Sequence, residues 1–328
     1  MITVCLVGCG GHAHRVYADS LRKYAREIGG VTLAACCDVD AKKAESFREI
    51  AGFARCYTDY HKMLEQEKPD AVILVTSYEY TAQIAVDVIA HGAAIMLEKP
   101  PGKDIAECMA IAEAVARHKP INMVAFNRRS APFTRQIMDI LYGETPLHVQ
   151  HIDYQMYRSG RGEAHFHTTA IHGVDMIGYI AQSTYGSLNL LYAPLSHYGE
   201  GAGNLLLHGR FKNGITTQQS YCPLAGAIME RMIIAADGVT ISAETPIWHG
   251  PDYPGVIRVY RHGELTQTIS GADLCGQELF ETDGFYDQLL EFIDCVKNGE
   301  PTAKDIISAM DAVKIADCLA ARETEYRG

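Results

Sequence analysis

The sequence predicts an α/β doubly wound parallel sheet, followed by an α+β domain built on an open, mostly antiparallel sheet. Three observations carry this. Short apolar runs alternate with amphipathic stretches through residues 1–125, a Gly-x-Gly-x-x-Ala turn follows the first of those runs, and strand-like runs with few helices between them fill residues 187–270. At 328 residues two domains are expected. They are placed at 1–125 and 126–328, with a C-terminal helix able to pack back on the first domain.

The elements follow from local patterns. Residues 3–7 are an apolar run that ends in glycines, a strand and its turn. Tyr17, Leu21, Tyr24 and Ile28 are spaced for one face of a helix. Residues 32–37 give a second strand, and Ala44, Phe47 and Ile50 a second helix. Residues 55–57 read as a short third strand, with Asp59 as N-cap to a helix over 60–67. Residues 71–76 contain Ala-Val-Ile-Leu-Val without polar alternation, the pattern of a strand buried on both faces of a parallel sheet. Ile84, Val88 and Ile89 mark the next helix, which Gly92 stops. A strand at 93–97, a helix marked by Ile105, Met109, Ala112 and Val115, and a strand at 121–126 complete the alternation.

The texture changes after Arg128. Residues 146–157 alternate and are rich in His, Gln and Tyr, and 167–181 read as a helix. Strand-like runs follow at 188–193, 204–211, 215–221, 232–235, 239–243, 256–261 and 265–269, punctuated by Gly and Pro. Helices at 284–297 and 303–321 close the chain. An antiparallel sheet of this kind leaves one face for a ligand or a second copy. A homo-oligomer, dimer or tetramer, is the expected assembly.

Composition narrows the functional classes. A hydrophobic share of 48% against 21% charged residues is enough apolar surface to offset chain entropy, so a folded chain is expected. A net charge of −11 repels phosphate backbones and argues against nucleic acid and anionic membranes as partners. The N-terminus runs directly into a strand pattern without a basic region or cleavage site, and the apolar run at 71–75 is far too short to span a bilayer. The ten cysteines include no C-x-x-C pair, and several lie in apolar strand runs. They read as free thiols of a cytoplasmic protein.

The turn Gly8-Cys9-Gly10-Gly11-His12-Ala13 carries the first chemistry. Gly8 permits a tight turn, Gly10 allows a pyrophosphate to approach the backbone, and Ala13 lets the helix pack close to the strand. The helix N-terminus then faces the phosphates, so a dinucleotide is expected on Gly8, Gly10, Gly11, His12 and Ala13. Asp38 ends the second strand at the position of a ribose-binding carboxylate. A carboxylate there repels a 2′-phosphate and favours NAD over NADP. Capping the following turn is the other role open to Asp38, and Asp40 is a weaker competitor for the ribose.

Glu98-Lys99-Pro100 follows the strand at 93–97, at the sheet edge where ligands collect. A lysine there can hold a substrate hydroxyl and help move its proton, although spacing alone equally allows a surface lysine in a Pro turn. Arg158, with Tyr154, Tyr157, Arg161 and Glu163, offers donors, acceptors and aromatic faces suited to a polyol or sugar, or arginines suited to a carboxylate or phosphate.

Together these features resemble the glucose–fructose oxidoreductase, inositol dehydrogenase and rhizopine-catabolism family, Gfo/Idh/MocA. The resemblance spans nearly the whole chain. It rests on Gly8 to Ala13, Thr76-Ser77, Glu98-Lys99-Pro100, Phe126-Asn127-Arg128-Arg129 with Pro132, and His172-Gly173-Val174-Asp175. It implies that Lys99 is catalytic, that Thr76, Ser77, Glu98 and Asn127 lie against the cofactor, and that the second domain carries a substrate pocket and an oligomer interface. It also makes His172 the acid–base candidate, since an imidazole titrates near neutrality. The implied reaction is hydride transfer between a secondary alcohol of a sugar, cyclic polyol or sugar derivative and NAD.

The chain departs from the family pattern in two places: the usual Thr-Pro-x-x-x-His turn reads Thr76-Ser77-Tyr78-Glu79-Tyr80-Thr81, and the start of the second-domain helix is altered. Where Asp-x-Gly-x-His-x-x-Asp is usual, it reads Thr168-Thr169-Ala170-Ile171-His172-Gly173-Val174-Asp175. Thr168 cannot serve as a carboxylate base, but it can hold a substrate hydroxyl or a water. His167 and Asp175 are read as polar lining of the substrate pocket, Asp175 chiefly as a structural partner. His165, His167, His172 and Asp175 have donors that could ligate zinc, but pocket lining is preferred and no metal is assigned. Two alternatives stay open: an enzyme that retains NAD and cleaves a glycosidic bond, and a non-catalytic dinucleotide-binding sensor.

Overall fold

The computed structural model describes residues 1–199 and 201–328, and the chain divides into two compact units. The first comprises Met1–Asn127 with Phe285–Met310, and the second Arg128–Gly284 with Asp311–Gly328. The chain thus leaves the first unit after Asn127 and contributes to it again from Phe285.

The first unit is a parallel sheet of β1 (Ile2–Val7), β2 (Val31–Cys37), β3 (Arg55–Tyr57), β4 (Ala71–Leu74), β5 (Ala94–Glu98) and β6 (Asn122–Ala125). Their order is β3-β2-β1-β4-β5-β6, with every pair parallel. All residues of β4 and β5 are buried, as their unbroken apolar runs require. Connecting helices start on side-chain caps: Asp40, Asp59 and Asp104 each accept backbone N–H groups of the turn that follows. Asp40, the weaker ribose candidate, is thus the N-cap of the helix Ala41–Ala51. The helix Phe285–Asn298 buries Phe285, Leu289, Phe292 and Ile293 in this unit, and its Lys297 Nζ donates to the Tyr24 hydroxyl at 2.6 Å.

The first helix differs from expectation. Ala13–Tyr17 is a π-turn, and the regular α-helix begins only at Ala18 and runs to Glu27. Such single π-turns insert one residue into the helical path.

The second unit is built on β7 (Val149–Tyr157), β8 (Tyr185–Pro194), β9 (Gly203–Phe211), β10 (Thr216–Cys222), β11 (Met229–Ala236), β12 (Val239–Thr245), β13 (Val256–Arg261), β14 (Glu264–Ser270) and β15 (Glu325–Arg327). They form one sheet in the order β14-β13-β12-β11-β7-β10-β9-β8-β15. The sheet is mostly antiparallel; β7 and β10 pair in parallel. Burial alternates along β7 and β11, with one face in the core and the other carrying exposed Ile233. The helix His167–Ala181 lies on the core face. At Gly173 a Cβ would come within 2.8 Å of the Tyr221 ring and would also meet Tyr154, so only glycine allows this approach. The helix Pro132–Tyr142 and the edge strand β15 lack a counterpart in the sequence reading. No helix among the described residues is long and apolar enough to cross a membrane.

Candidate active site

The strand order reverses direction at β1 and β4, the point where ligands enter open α/β sheets. The glycine turn sits there. Gly8 takes φ +99°, and a Cβ on it would run into the Val75 carbonyl and lie 3.0 Å from the Thr76 nitrogen. Gly8 N–H donates to the Cys37 carbonyl and Val75 N–H to the Val7 carbonyl, both at 2.7 Å, which fixes the turn between β2 and β4. At Gly10 and Gly11 a Cβ would meet nothing within 4 Å. This is open space over a backbone turn, a cradle that fits a pyrophosphate. Ala13 is fully buried beneath it.

Asp38 uses both carboxylate oxygens on the backbone. One accepts from Cys9 N–H at 2.8 Å and the other from Asp40 N–H at 2.9 Å. The two roles weighed from sequence are therefore compatible. The carboxylate caps its own turn, and it also ties the end of β2 to the glycine turn, on the edge where an adenosine ribose would meet it. Thr76 Oγ1 lies 3.3 Å from Thr81 Oγ1, and Ser77 occupies the N-cap position of the helix Tyr78–Ala90.

Glu98 is the last residue of β5 and is buried. Its Oε1 accepts the Tyr17 hydroxyl at 2.6 Å and lies 3.3 Å from His12 Nε2. Burial pushes the Glu98 carboxyl upward, but His12, Lys99 and the Tyr17 hydrogen bond outweigh it and hold the group below the usual carboxylate value. Burial and the Glu98 anion raise the Tyr17 phenol well above its ordinary value, so Tyr17 is a neutral donor throughout the physiological range. Lys99 follows at the strand end, half-buried, with a cis bond to Pro100. The glycines, His12, Asp38, Thr76, Glu98 and Lys99 thus share the carboxyl edge of one sheet. Asn127 is 3% exposed and ends the first segment of the first unit.

The second unit corrects part of the sequence reading. Tyr154 and Arg158, expected to face a substrate, are closed into the interior at 0% and 4% exposure. Arg158 instead pairs with Glu230 on β11, which also receives Arg128 Nε at 2.8 Å and Nη2 at 2.5 Å. Burial raises the Glu230 carboxyl, but the two guanidiniums prevail and bring it down to about 2. Asp175 is likewise buried and accepts Arg129 Nε at 2.8 Å, with a second contact between Arg129 Nη2 and the other carboxylate oxygen. It is a structural partner, removed from the ligand-facing set and from any metal set with the histidines. Among the described residues no group of three or more His, Cys, Asp or Glu is gathered in metal-binding fashion.

His167, Thr168 and His172 remain half-buried on the first turns of the helix His167–Ala181. Thr168 Oγ1 donates to the His165 carbonyl at 2.8 Å. Burial and neighbouring His165 lower the His167 pKa, which favours the neutral imidazole at pH 7.

The roles of three residues escaped the sequence reading: Tyr17, Glu230 and Asp283. Asp283 is 1% exposed, and burial raises its carboxyl to about 7 despite a hydrogen bond from Trp248 N–H. The one local signal was the adjacent Arg128-Arg129 pair, two charges in an apolar setting that require buried acids somewhere.

Comparison with known proteins agrees with this geometry. Residues 2–126 match the model of GFO_IDH_MocA, described as an oxidoreductase family with an NAD-binding Rossmann fold. Inositol 2-dehydrogenase of Salmonella typhimurium is 26% identical over 194 residues, covering 57% of this chain and 56% of the relative, so the match spans little more than half of that protein. A Gfo/Idh/MocA family oxidoreductase from Vibrio cholerae superposes with a TM-score of 0.81 at 18% identity, covering 98% of each chain. Levoglucosan dehydrogenase in complex with NADH and levoglucosan gives a TM-score of 0.82 at 16% identity, covering 99% of each chain. These two likenesses concern the fold. The glycine turn, Asp38 and Glu98-Lys99-Pro100 thus lie on one edge of the sheet over which residues 2–126 match the NAD-binding Rossmann fold of the Gfo/Idh/MocA oxidoreductase family.

Proposed function

We propose that this chain is an NAD-dependent dehydrogenase that oxidises a secondary alcohol of a sugar, cyclic polyol or sugar derivative. The observation that carries the reading is Lys99, set at the carboxyl end of β5 beside a buried, ionised Glu98 that is itself tied to the glycine turn through His12. Bound NAD supplies the hydride acceptor.

Lys99 donates to the reacting hydroxyl and orients it, and its charge steadies the oxygen as the proton leaves. His172 is the acid–base group, and its role rests on the family pattern His172-Gly173-Val174-Asp175. Asp175 and Arg129 hold the helix that carries it. Thr168 supplies a hydroxyl where a carboxylate is usual, so His172 manages the proton without that acid. Asp38 favours NAD over NADP through its charge. A homo-oligomer formed through the open sheet of the second unit completes the reading, supported by exposed Leu191, Leu206, Ile233 and Leu265 on its strands.

The test is a cofactor-resolved screen on inositols, levoglucosan, aldoses, sugar acids and glycosides, following NADH absorbance and product mass together. The two relatives named for an inositol and for levoglucosan set the first substrates. Lys99→Ala should retain NADH binding and lose at least about 100-fold in turnover, the lower range for a positioned acid–base group. Near-normal turnover in that variant refutes the role of Lys99. Glycoside cleavage without net NADH identifies the bond-cleaving alternative, which the Thr168 substitution keeps in view.

A further inference from the structure

The first unit holds a polar cluster shared by the glycine turn, the first helix, the end of β5 and the returning helix Phe285–Asn298. Tyr17 lies at its centre and is fully buried. Its hydroxyl donates to Glu98 Oε1 at 2.6 Å and accepts from Gln288 Nε2 at 3.2 Å. The same Glu98 oxygen lies 3.3 Å from His12 Nε2, and the His12 ring stands edge-on to Tyr17 and Phe285 with centroids 6.2 and 5.5 Å away. Tyr17 is also the last residue of the π-turn. One inserted residue turns the helix by about 100°, which is what separates the direction of Tyr17 from that of an uninterrupted α-helix.

We propose that Tyr17 is a positioning residue of the cofactor site: its hydroxyl fixes the Glu98 carboxylate against His12, so that strand end, glycine turn and first helix hold one geometry for the dinucleotide. The proposal rests on the assignment of this sheet edge to the cofactor. His12 belongs to the phosphate-cradling turn and Glu98 directly precedes Lys99, so one anion orders both. The ionisable groups acting on Glu98 are His12 from the turn, Tyr17 from the π-turn and Lys99 from its own strand end; the returning helix brings uncharged Gln288 to Tyr17. Tyr17 is the neutral member, a pure donor, and its loss removes an anchor from the anion without changing charge.

The test compares Tyr17→Phe, which keeps the ring and removes the O–H, with Gln288→Leu, which leaves the Tyr17–Glu98 bond in place. Two readouts are followed: the carboxyl titration of Glu98 by 13C NMR, assigned with Glu98→Gln, and NADH affinity by fluorescence between pH 5 and 8. In Tyr17→Phe the Glu98 midpoint should rise, and NADH affinity relative to the wild type should fall about twofold at the acid end and recover toward pH 8. Gln288→Leu should change neither. Wild-type behaviour of Tyr17→Phe in both readouts overturns the proposal, and so does an equal change in Gln288→Leu, which would reduce Tyr17 to packing. If Tyr17→Phe does not fold, Glu98→Gln decides: weakened, pH-independent NADH binding supports the proposal and wild-type affinity overturns it. Neither readout needs a substrate, so a chain that meets these expectations but oxidises no polyol refutes the dehydrogenase reading alone.

Discussion

Replacing Glu230 by glutamine keeps the side-chain shape but leaves Arg128 and Arg158 without their anion in the core of the second unit. Glu230 is 0% exposed and both guanidiniums are at most 5% exposed, so water cannot replace the lost charge. Two routes give the size of the effect. Breaking a buried ion pair from one side costs about 3–5 kcal/mol. The lowering of the Glu230 carboxyl from 4.5 to about 2 corresponds to about 3 kcal/mol of stability in the ionised form. The sign follows from the lowered value: this stability is fully present above pH 4.5 and is lost as the pH falls toward 2. For a unit of this size a loss of 3 kcal/mol lowers Tm by about 6–12 °C. Trp248, the single tryptophan, lies in the same unit, and its fluorescence reports that unit during thermal unfolding. Glu230→Gln should melt lower by that margin at pH 7, and the gap to the wild type should close as the pH approaches 2. A Tm within about 1 °C of wild type at pH 7 would sink the claim that this triad holds the unit together.

Three further expectations follow from single contacts. Gly173→Ala forces a Cβ against Tyr154 and Tyr221 and should cost about 1–3 kcal/mol by overpacking, measured by urea unfolding; an unchanged midpoint would show that the helix carrying His172 moves freely on the sheet. Asp38→Asn keeps an acceptor for Cys9 N–H but removes the charge, so the ratio of NADP to NAD affinity should rise about tenfold in calorimetric titration, and an unchanged ratio would refute its part in cofactor choice. Asp283 has its carboxyl raised from 3.8 to about 7, so the folded chain prefers it protonated and its ionisation destabilises the fold progressively as the pH rises above 3.8. Asp283→Asn should therefore raise Tm relative to wild type at pH 8 more than at pH 5, and the opposite trend would mean that its interaction with Arg128 outweighs its burial.

Much of the first unit was legible residue by residue. The unbroken apolar runs of β4 and β5, the Gly8 turn and the Asp59 cap are decided within a few residues of chain, by burial on both faces, by the need for positive φ and by orphan N–H groups at a helix start. A carboxylate just after β2 can serve a ribose or a helix, and it is the positions of Lys42 N–H and Lys43 N–H that make Asp40 a helix cap. The π-turn was missed for a related reason. Tyr17 to Ile28 keeps helical spacing, while the π-turn lies ahead of it and the contact of Tyr17 is to Glu98, 81 residues away.

Local pattern by itself determined the alternation of strands and helices, the glycine turn and the carboxyl-edge position of Lys99, because hydrophobic period, turn chemistry and capping act over one or two turns of chain. Only the tertiary structure decided which acids neutralise Arg128 and Arg129, that Arg158 and Tyr154 turn inward, and that β7 pairs in parallel with β10 inside an otherwise antiparallel sheet. A buried charge must find its partner wherever strand register and helix packing bring one within hydrogen-bond reach. Glu230 lies 102 residues from Arg128 along the chain, and no local spacing encodes that meeting.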